Sequence, residues 1–478
     1  MKILGVSALN HDASLTLVEN GEILWAAQSE RYSKIKQDGY LNQAIVDEAL
    51  SYGQPDVIAY YERPLIKKLR QAKAGQWHEV FTPMPAEHIR SFGLTAPIKY
   101  YSHHKSHAAA GYYTSGFTDA CVIVIDAIGE FETLTIWEGK GTELKKVHNV
   151  NYPNSLGLFY SAFTQLLGLK PNEEEYILMG MAAYGNAMRF YNLVKTYVDR
   201  NLHKGIQGWP ELLEQEKYDV AAAVQLVYEQ KLREILLYSK HVTKTNNLVL
   251  MGGCALNCVA NRILGDYYAN IWIMPNPGDA GSSLGAAALV ARSPINFRSA
   301  YCGHNIHGDY PVNGALAGLT TRQIVGVANG RAEFGPRSLG NRSLFADPRG
   351  STIKETVNDI KQRQQFRPFS PVILEEMVND YFIMPRGWNS SRYMAVVAHC
   401  RNPKLFPAIV HRDGTSRVQT VPDDNSGIRR LLTEWFKLTG CPMLLNTSLN
   451  IKGQPIVNTE QDAIDWQNHY GVTVAIRD

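Results

Sequence analysis

Short apolar runs separated by polar turns open the chain. KILGVSALNHDASLTLVENGEILWAAQSER reads as a strand, a turn at Asn10-His11-Asp12, a second strand, a hairpin turn at Glu19-Asn20-Gly21 and a third strand. The same order returns roughly 120 residues later. There CVIVIDAIGEFETLTIWEGKGTELKKV gives an apolar strand, an acidic turn with Gly129, another strand and a Gly-Lys-Gly turn. Apolar residues recurring at three and four predict helices over Leu41–Tyr52, Leu156–Leu167 and Tyr218–Lys240. Two later segments, NNLVLMGGCALNCVANRIL and IWIMPNPGDAGSSLGAAALV, each run from a buried strand through a glycine loop into a helix. Such loops suit anions, which makes Gly252, Gly253 and Asn257 candidate cofactor contacts. The expected architecture is a duplicated α/β domain over residues 1–310 with a cleft between its halves. The stretch from Ser293 to Gln323 reads as an irregular boundary rich in Gly, Pro and Asn, and a second α/β domain follows over 324–478.

Composition narrows the class. At 45% hydrophobic and 19% charged residues, 478 residues suit compact folded domains rather than a disordered chain. No apolar run is long enough for a membrane helix, and the first residues lack a signal peptide's apolar core, so a cytoplasmic protein is expected. Six scattered cysteines, Cys121, Cys254, Cys258, Cys302, Cys400 and Cys441, form no disulfide framework and read as packing residues. The net charge is +3, and the excess is C-terminal: from Ile324 onward 19 Lys and Arg face 15 Asp and Glu. That balance suits an anionic small molecule and does not by itself demand nucleic acid.

The candidate chemistry falls into two sets. In SHHKSHAAAGYYTSGF, His103 and His107 are four apart and share a helix face, while His104 points elsewhere. Asp126 ends the strand of the second repeat and Asp279 sits in the PNPGDAGSS loop; two imidazoles and two carboxylates suit iron, zinc or manganese. A pair of buried helical histidines is the plainer reading. Cys302, His304 and His307 form a weaker ligand cluster, and Cys254 with Cys258 reads as packing. His11, in a polar turn after the first strand, is either a turn former or a catalytic general base. The second set is basic: Arg337 and Arg342 among glycines, then Lys361, Arg363 and Arg367, then Arg417, with Asn446, Ser448 and Asn450 closing an apolar strand. Arg forks and Lys point charges of this kind suit a polyphosphate or acyl phosphate, and the Asn and Ser side chains suit a nucleotide. Each cation taken singly also reads as solvated surface charge.

HHKSH, MGMAAYG, GGCALNCVANR, PNPGDAGSSLGAA, EFGPRSLGNRS, FRPFSPVI, HRDGTSRVQTV and LLNTSLNIKGQPIV occur in an order that resembles the O-carbamoyltransferases of nodulation-factor and antibiotic biosynthesis. The resemblance spans nearly the whole chain. It implies an N-terminal domain of the actin, sugar-kinase and heat-shock-chaperone (ASKHA) type followed by a YrdC-like domain. It further implies that ATP, with Mg, and carbamoyl phosphate are joined into carbamoyl-adenylate, and that the carbamoyl group then passes to a hydroxyl. By this resemblance Lys361, Arg367, Ser448 and Asn450 take the nucleotide, His103, His107, Asp126 and Asp279 hold a divalent metal, iron foremost, and His11 serves transfer. One departure is Ile177, where such proteins usually carry Lys. The implied acceptor is either a small hydroxylated metabolite or hydroxymethylcytosine in DNA, and a homodimer is open. The basic, aromatic stretch YYERPLIKKLRQAKAGQWHEVF reads as a groove for a polyanion or as a helix with snorkelling lysines. A non-catalytic nucleotide-binding regulator and a kinase-like ATPase are the other function classes the residues allow.

Overall fold

Both strand–turn–strand segments form, and each grows into a five-stranded sheet of the same topology. In a computed structural model describing residues 1–478, the first sheet comprises β1 (Lys2–Ser7), β2 (Ser14–Glu19), β3 (Glu22–Gln28), β4 (Val57–Tyr60) and β5 (Ile98–Tyr100). The second comprises β6 (Asp119–Gly129), β7 (Glu132–Lys140), β8 (Glu143–Asn151), β9 (Asn247–Met251) and β10 (Asn270–Trp272). Their orders, β3-β2-β1-β4-β5 and β8-β7-β6-β9-β10, correspond strand for strand. In each, three antiparallel strands are joined by two parallel ones. This is the duplicated α/β arrangement that the repeated strand pattern predicts.

Two buried helices bind the halves together, and glycines let them do so. A Cβ at Gly5 of β1 would lie 1.8 Å from the Ser283 carbonyl oxygen, and one at Gly285 would lie 1.8 Å from that of Ser106. The helix Ser282–Ala291 therefore approaches both β1 and the helix His103–Thr114 backbone to backbone. A side chain at Gly5 would push the helix Ser282–Ala291 off β1, and one at Gly285 would push the two helices apart, and with them the residues at their ends. The predicted helices at 41–52, 156–167 and 218–240 appear as Gln43–Ser51, Leu156–Leu166 and Glu214–Thr243. After β9 the expected helix is instead two short 3₁₀ segments, Gly253–Leu256 and Ala260–Asp266. Gly252 turns there with φ +89°, and the Asn257 side chain caps the second segment by accepting from the Ala260 amide (3.0 Å).

The chain divides differently from the sequence expectation. One unit is Met1–Ser29 with Gln37–Arg298, and the other is Glu30–Lys36 with Ser299–Asp478. The supposed irregular boundary contains a strand, Tyr301–Ile306, and a helix, Val312–Arg322. Its Gly, Pro and Asn residues misled because they belong to this helix and its start: Pro311 precedes it, Asn313, Gly314 and Gly318 lie within it, and Gln323 closes it in the left-handed region at φ +62°. The stretch 30–36 belongs to the C-terminal unit because buried Arg31 donates to the Gly335 carbonyl (3.1 Å) and Lys34 pairs with Asp462.

That unit is built on a six-stranded mixed sheet in the order Gln419–Val421, Ser370–Leu374, Met443–Ser448, Arg342–Ala346, Ile324–Ala328, Val474–Ala475. Alternation along the strands feeds two cores. Val325, Phe345, Val372 and Leu444 pack with Leu431 and Trp435 of the helix Gly427–Thr439. Leu344, Ile373, Met443 and Leu445 pack with Phe369 and Trp466 on the other face. No helix in either unit is long and apolar enough to cross a membrane.

Candidate active sites

In the N-terminal unit the first turn of the helix His103–Thr114 meets the end of β6 and the loop before the helix Ser282–Ala291. Gly129 permits this, since a Cβ there would lie 2.3 Å from the His103 ring. His103 Nε2 and His107 Nε2 are 3.1 Å apart. Each lies 3.3 Å from Asp126 Oδ2, and Asp279 Oδ1 is 3.4 Å from His103 and 3.2 Å from His107. All four ligand atoms fall within 4.8 Å of one another. His107 Nδ1 faces the Pro277 carbonyl at 3.1 Å, which only an N–H can satisfy, so in the neutral ring it is Nε2 that presents a lone pair to the cluster. His104 turns away to Thr135 Oγ1 (3.0 Å), as its place one residue round the helix requires.

The charge pattern of this cluster is unusual. Glu62 has Lys67 and Glu130 has Arg63, but Asp126 and Asp279 are both buried with only imidazoles as charged partners. Burial favours their neutral acids; the histidines outweigh it and hold both carboxyls below the usual range, Asp279 well below. Burial likewise lowers the imidazoles, yet the two carboxylates hold His103 well above and His107 above the ordinary value. His11 stands at the edge, 41% exposed, with Nε2 3.7 Å from Asp279 Oδ2 and Nδ1 3.2 Å from Asp12. Against the lowering effect of burial, Asp279 and then Asp12 raise it to about 10. Its loop is strained: Leu9 and Asp12 both adopt positive φ, 65° and 55°, and Asn10 donates to Asp279 Oδ2 at 3.1 Å.

In the C-terminal unit, Lys361 is only 4% exposed. Its Nζ donates to the Ser448 carbonyl (2.5 Å), Ser448 Oγ (3.1 Å) and Asn450 Oδ1 (2.5 Å), three neutral acceptors. Burial, followed by the fields of Arg363, Arg367 and Lys36, pushes the ammonium well below the usual lysine range. Three of the residues assigned to the nucleotide, Lys361, Ser448 and Asn450, are thus in contact, and Arg367 is near enough to be felt. Arg417 lies one strand away, its Nε on Ser370 Oγ at 3.1 Å, and Arg337 is half-buried in the turn before the strand Arg342–Ala346.

Three candidates are otherwise engaged. Arg342 is 0% exposed, and its guanidinium donates to the carbonyls of Asn458, Asn329, Gly330, Asn341 and His304, which removes it from the ligand-facing set. Asn446 Nδ2 is shared by the Ser338 carbonyl and Gln419. Asn257 is locked to Gln225 by a reciprocal amide pair. Gly252 and Gly253 pack on the end of β6, where a Cβ on Gly252 would lie 2.2 Å from the Ile125 carbonyl oxygen and one on Gly253 3.3 Å from Asp126 Oδ1. The Cys302, His304 and His307 set does not gather: the Cys302 thiol meets the Ser299 carbonyl and His307 meets Asn305.

The segments that carry both clusters match a known sequence family. Family models described as carbamoyltransferase N-terminus and carbamoyltransferase C-terminus match residues 78–288 and 317–476. The chain belongs to the carbamoyltransferase family. It is 31% identical to nodulation protein NolNO of Sinorhizobium fredii, over 95% of this chain and 76% of that one. It is 25% identical to 3'-hydroxymethylcephem-O-carbamoyltransferase of Amycolatopsis lactamdurans, over 97% and 96%. An uncharacterised Synechocystis protein is 32% identical over 96% and 93%. The protein is accordingly an enzyme of carbamoyl transfer. Ile177, where the resemblance implies Lys, is buried in the helix Glu175–Met181, so that side chain is a packing group here. Sequence reading passed over Glu62, Lys67 and Asn10. The available signal was topological: β4 runs parallel to β1, so residues just after β4 share a sheet edge with the His11 loop.

Proposed function

We propose that the protein is an ATP-dependent O-carbamoyltransferase working in two steps. The C-terminal unit joins ATP, with Mg, to carbamoyl phosphate, consuming one water and releasing pyrophosphate and phosphate, to give carbamoyl-adenylate. The N-terminal unit then moves the carbamoyl group to an acceptor hydroxyl. The observation that carries the first step is the buried Lys361 ammonium, whose partners are all neutral and whose neighbours are further cations. A polyanion is the ligand such a field favours. Ser448 and Asn450 hold Nζ in place, and Arg367 adds a second positive charge for the phosphates.

For the second step the donor chemistry fits a divalent ion. Ligand atoms 2.0–2.1 Å from one centre in a tetrahedron lie about 3.3 Å apart, and the His–His and His–Asp separations here run from 3.1 to 3.4 Å. Two buried carboxylates without Lys or Arg supply the matching charge. His103, His107, Asp126 and Asp279 would hold iron, zinc or manganese, which supplies Lewis-acid polarisation of the carbamoyl carbonyl when bound. A divalent ion held there would offset the Asp279 charge that keeps His11 protonated, which would leave Nε2 free to take the proton from the acceptor hydroxyl, and Asn10 fixes the outer oxygen of Asp279. The acceptor is either a hydroxylated metabolite or hydroxymethylcytosine in DNA.

The test is to incubate the protein with ATP, carbamoyl phosphate and an acceptor panel that includes hydroxymethylcytosine DNA, scoring AMP, pyrophosphate and the acceptor's carbamoyl mass gain. Transfer without nucleotide would overturn the two-step reading. ADP as product would favour a kinase-like ATPase, and absence of turnover with every acceptor a binding protein.

A further inference from the structure

Behind the four converging ligand atoms lies a charged pair that no step above uses. Glu62, the second residue after β4, is 3% exposed, and Lys67, one turn into the helix Pro64–Lys73, is 12% exposed. Lys67 Nζ is 2.8 Å from Glu62 Oε2 and donates to the Leu9 carbonyl at 3.1 Å, two residues before His11. The other oxygen, Glu62 Oε1, is 3.4 Å from His103 Nδ1, and no other acceptor takes that N–H. Glu62 is carried to this place by the helix it serves: Ser106 Oγ donates to the Tyr61 carbonyl at 2.8 Å, and the Tyr61 ring packs on His103 with centroids 5.2 Å apart.

The two histidines are therefore backed differently. His107 has a neutral carbonyl behind Nδ1, whereas His103 has a carboxylate. A carboxylate facing Nδ1–H fixes the ring's tautomer and orientation and makes Nε2 a stronger donor. A buried ion pair of this kind contributes little net stability, because desolvation offsets the attraction. Its location, touching one histidine of the cluster and the backbone of the His11 loop, gives it a use that stability does not.

We propose that Glu62, held by Lys67, is a positioning residue that orients His103 toward a divalent ion and raises that ion's affinity. This rests on the metal reading given above. The test uses Glu62→Gln and the double variant Glu62→Gln/Lys67→Met, in which the pair is made neutral and no lone buried charge remains. Affinity for Zn²⁺ is measured by chelator competition, the ligand field by the absorption spectrum of the Co²⁺-substituted protein, and folding by circular dichroism and thermal unfolding. Both variants should bind Zn²⁺ about 10- to 100-fold more weakly and give an altered Co²⁺ spectrum, while the double variant melts like the wild type. A double variant with wild-type Zn²⁺ affinity and Co²⁺ spectrum would mean that the pair only balances charge, and the proposal would be wrong. Failure of the wild type itself to bind either ion would overturn the metal reading, and this inference with it.

Discussion

Lys361→Met separates binding from folding because the two effects have opposite signs. The side chains have similar volume, so the substitution removes a buried ammonium and three hydrogen bonds to neutral acceptors without opening a cavity. For the ligand-free protein, burying a cation with no carboxylate costs several kcal/mol, and replacing such charges by apolar groups is often neutral or stabilising. We expect a change between about 0 and +2 kcal/mol, which for a unit of this size is a melting temperature unchanged or raised by up to about 8 °C. For ATP the sign reverses. Removing one partner of a buried charge contact costs about 2–5 kcal/mol, or roughly 30-fold to several thousandfold in affinity. At about 100 times the wild-type Kd, ATP should stabilise the wild type by about 2.7 kcal/mol and the variant by about 0.9 kcal/mol or less. Thermal unfolding with and without ATP and Mg reads both quantities. A variant that melts well below the wild type yet keeps the full ATP shift would make Lys361 a structural brace and place the nucleotide elsewhere.

The comparison between Lys361 and Arg342 shows where residue type stops being informative. Both read as anion ligands in sequence, and the same donors that fork a phosphate also fork backbone carbonyls. Only burial and the positions of five carbonyls distinguish them, and those depend on strands and turns from residues 304 to 458. The metal-type cluster was more legible because its local part is helical: His103 and His107 must share a face at any i, i+4 spacing. Its closure was not. Asp279 reaches His107 because Gly285 lets two helices meet at the backbone, and nothing in the spacing of a glycine within an alanine-rich helix announces a partner 179 residues earlier. Glu62 and Lys67 look like the start of an exposed helix until β4 is placed beside β1. Likewise the stretch 30–36 follows directly from β3, so no local signal assigns Arg31 to the core of the other unit.

His107→Ala should lose bound metal by elemental analysis and lose carbamoyl transfer, while pyrophosphate release persists; full metal occupancy would show the assignment to be mistaken. Arg342→Ala leaves five buried carbonyls without their donor and should destabilise by about 3 kcal/mol or more, measured as thermal unfolding, with ATP binding by the folded protein retained. If the acceptor is DNA, electrophoretic shifts should weaken steeply between about 50 and 200 mM salt through counterion release; salt-insensitive behaviour without carbamoylated hydroxymethylcytosine DNA directs the search to metabolites. The pH dependence follows from Lys361. Burial and neighbouring cations depress its folded-state pKa below the ordinary value near 10.4. Across the window between those two values the unfolded chain holds a proton that the folded, ligand-free protein has lost, so this group's contribution to stability rises with pH and is lost as pH falls through the folded pKa. ATP needs the ammonium, so its affinity runs the other way, falling up to tenfold per pH unit above the depressed pKa. Calorimetric titration with ATP from about pH 7.5 to 10 should show that decline in the wild type and a flat profile in Lys361→Met. Equal slopes in the two proteins would mean that this ammonium does not meet the phosphates.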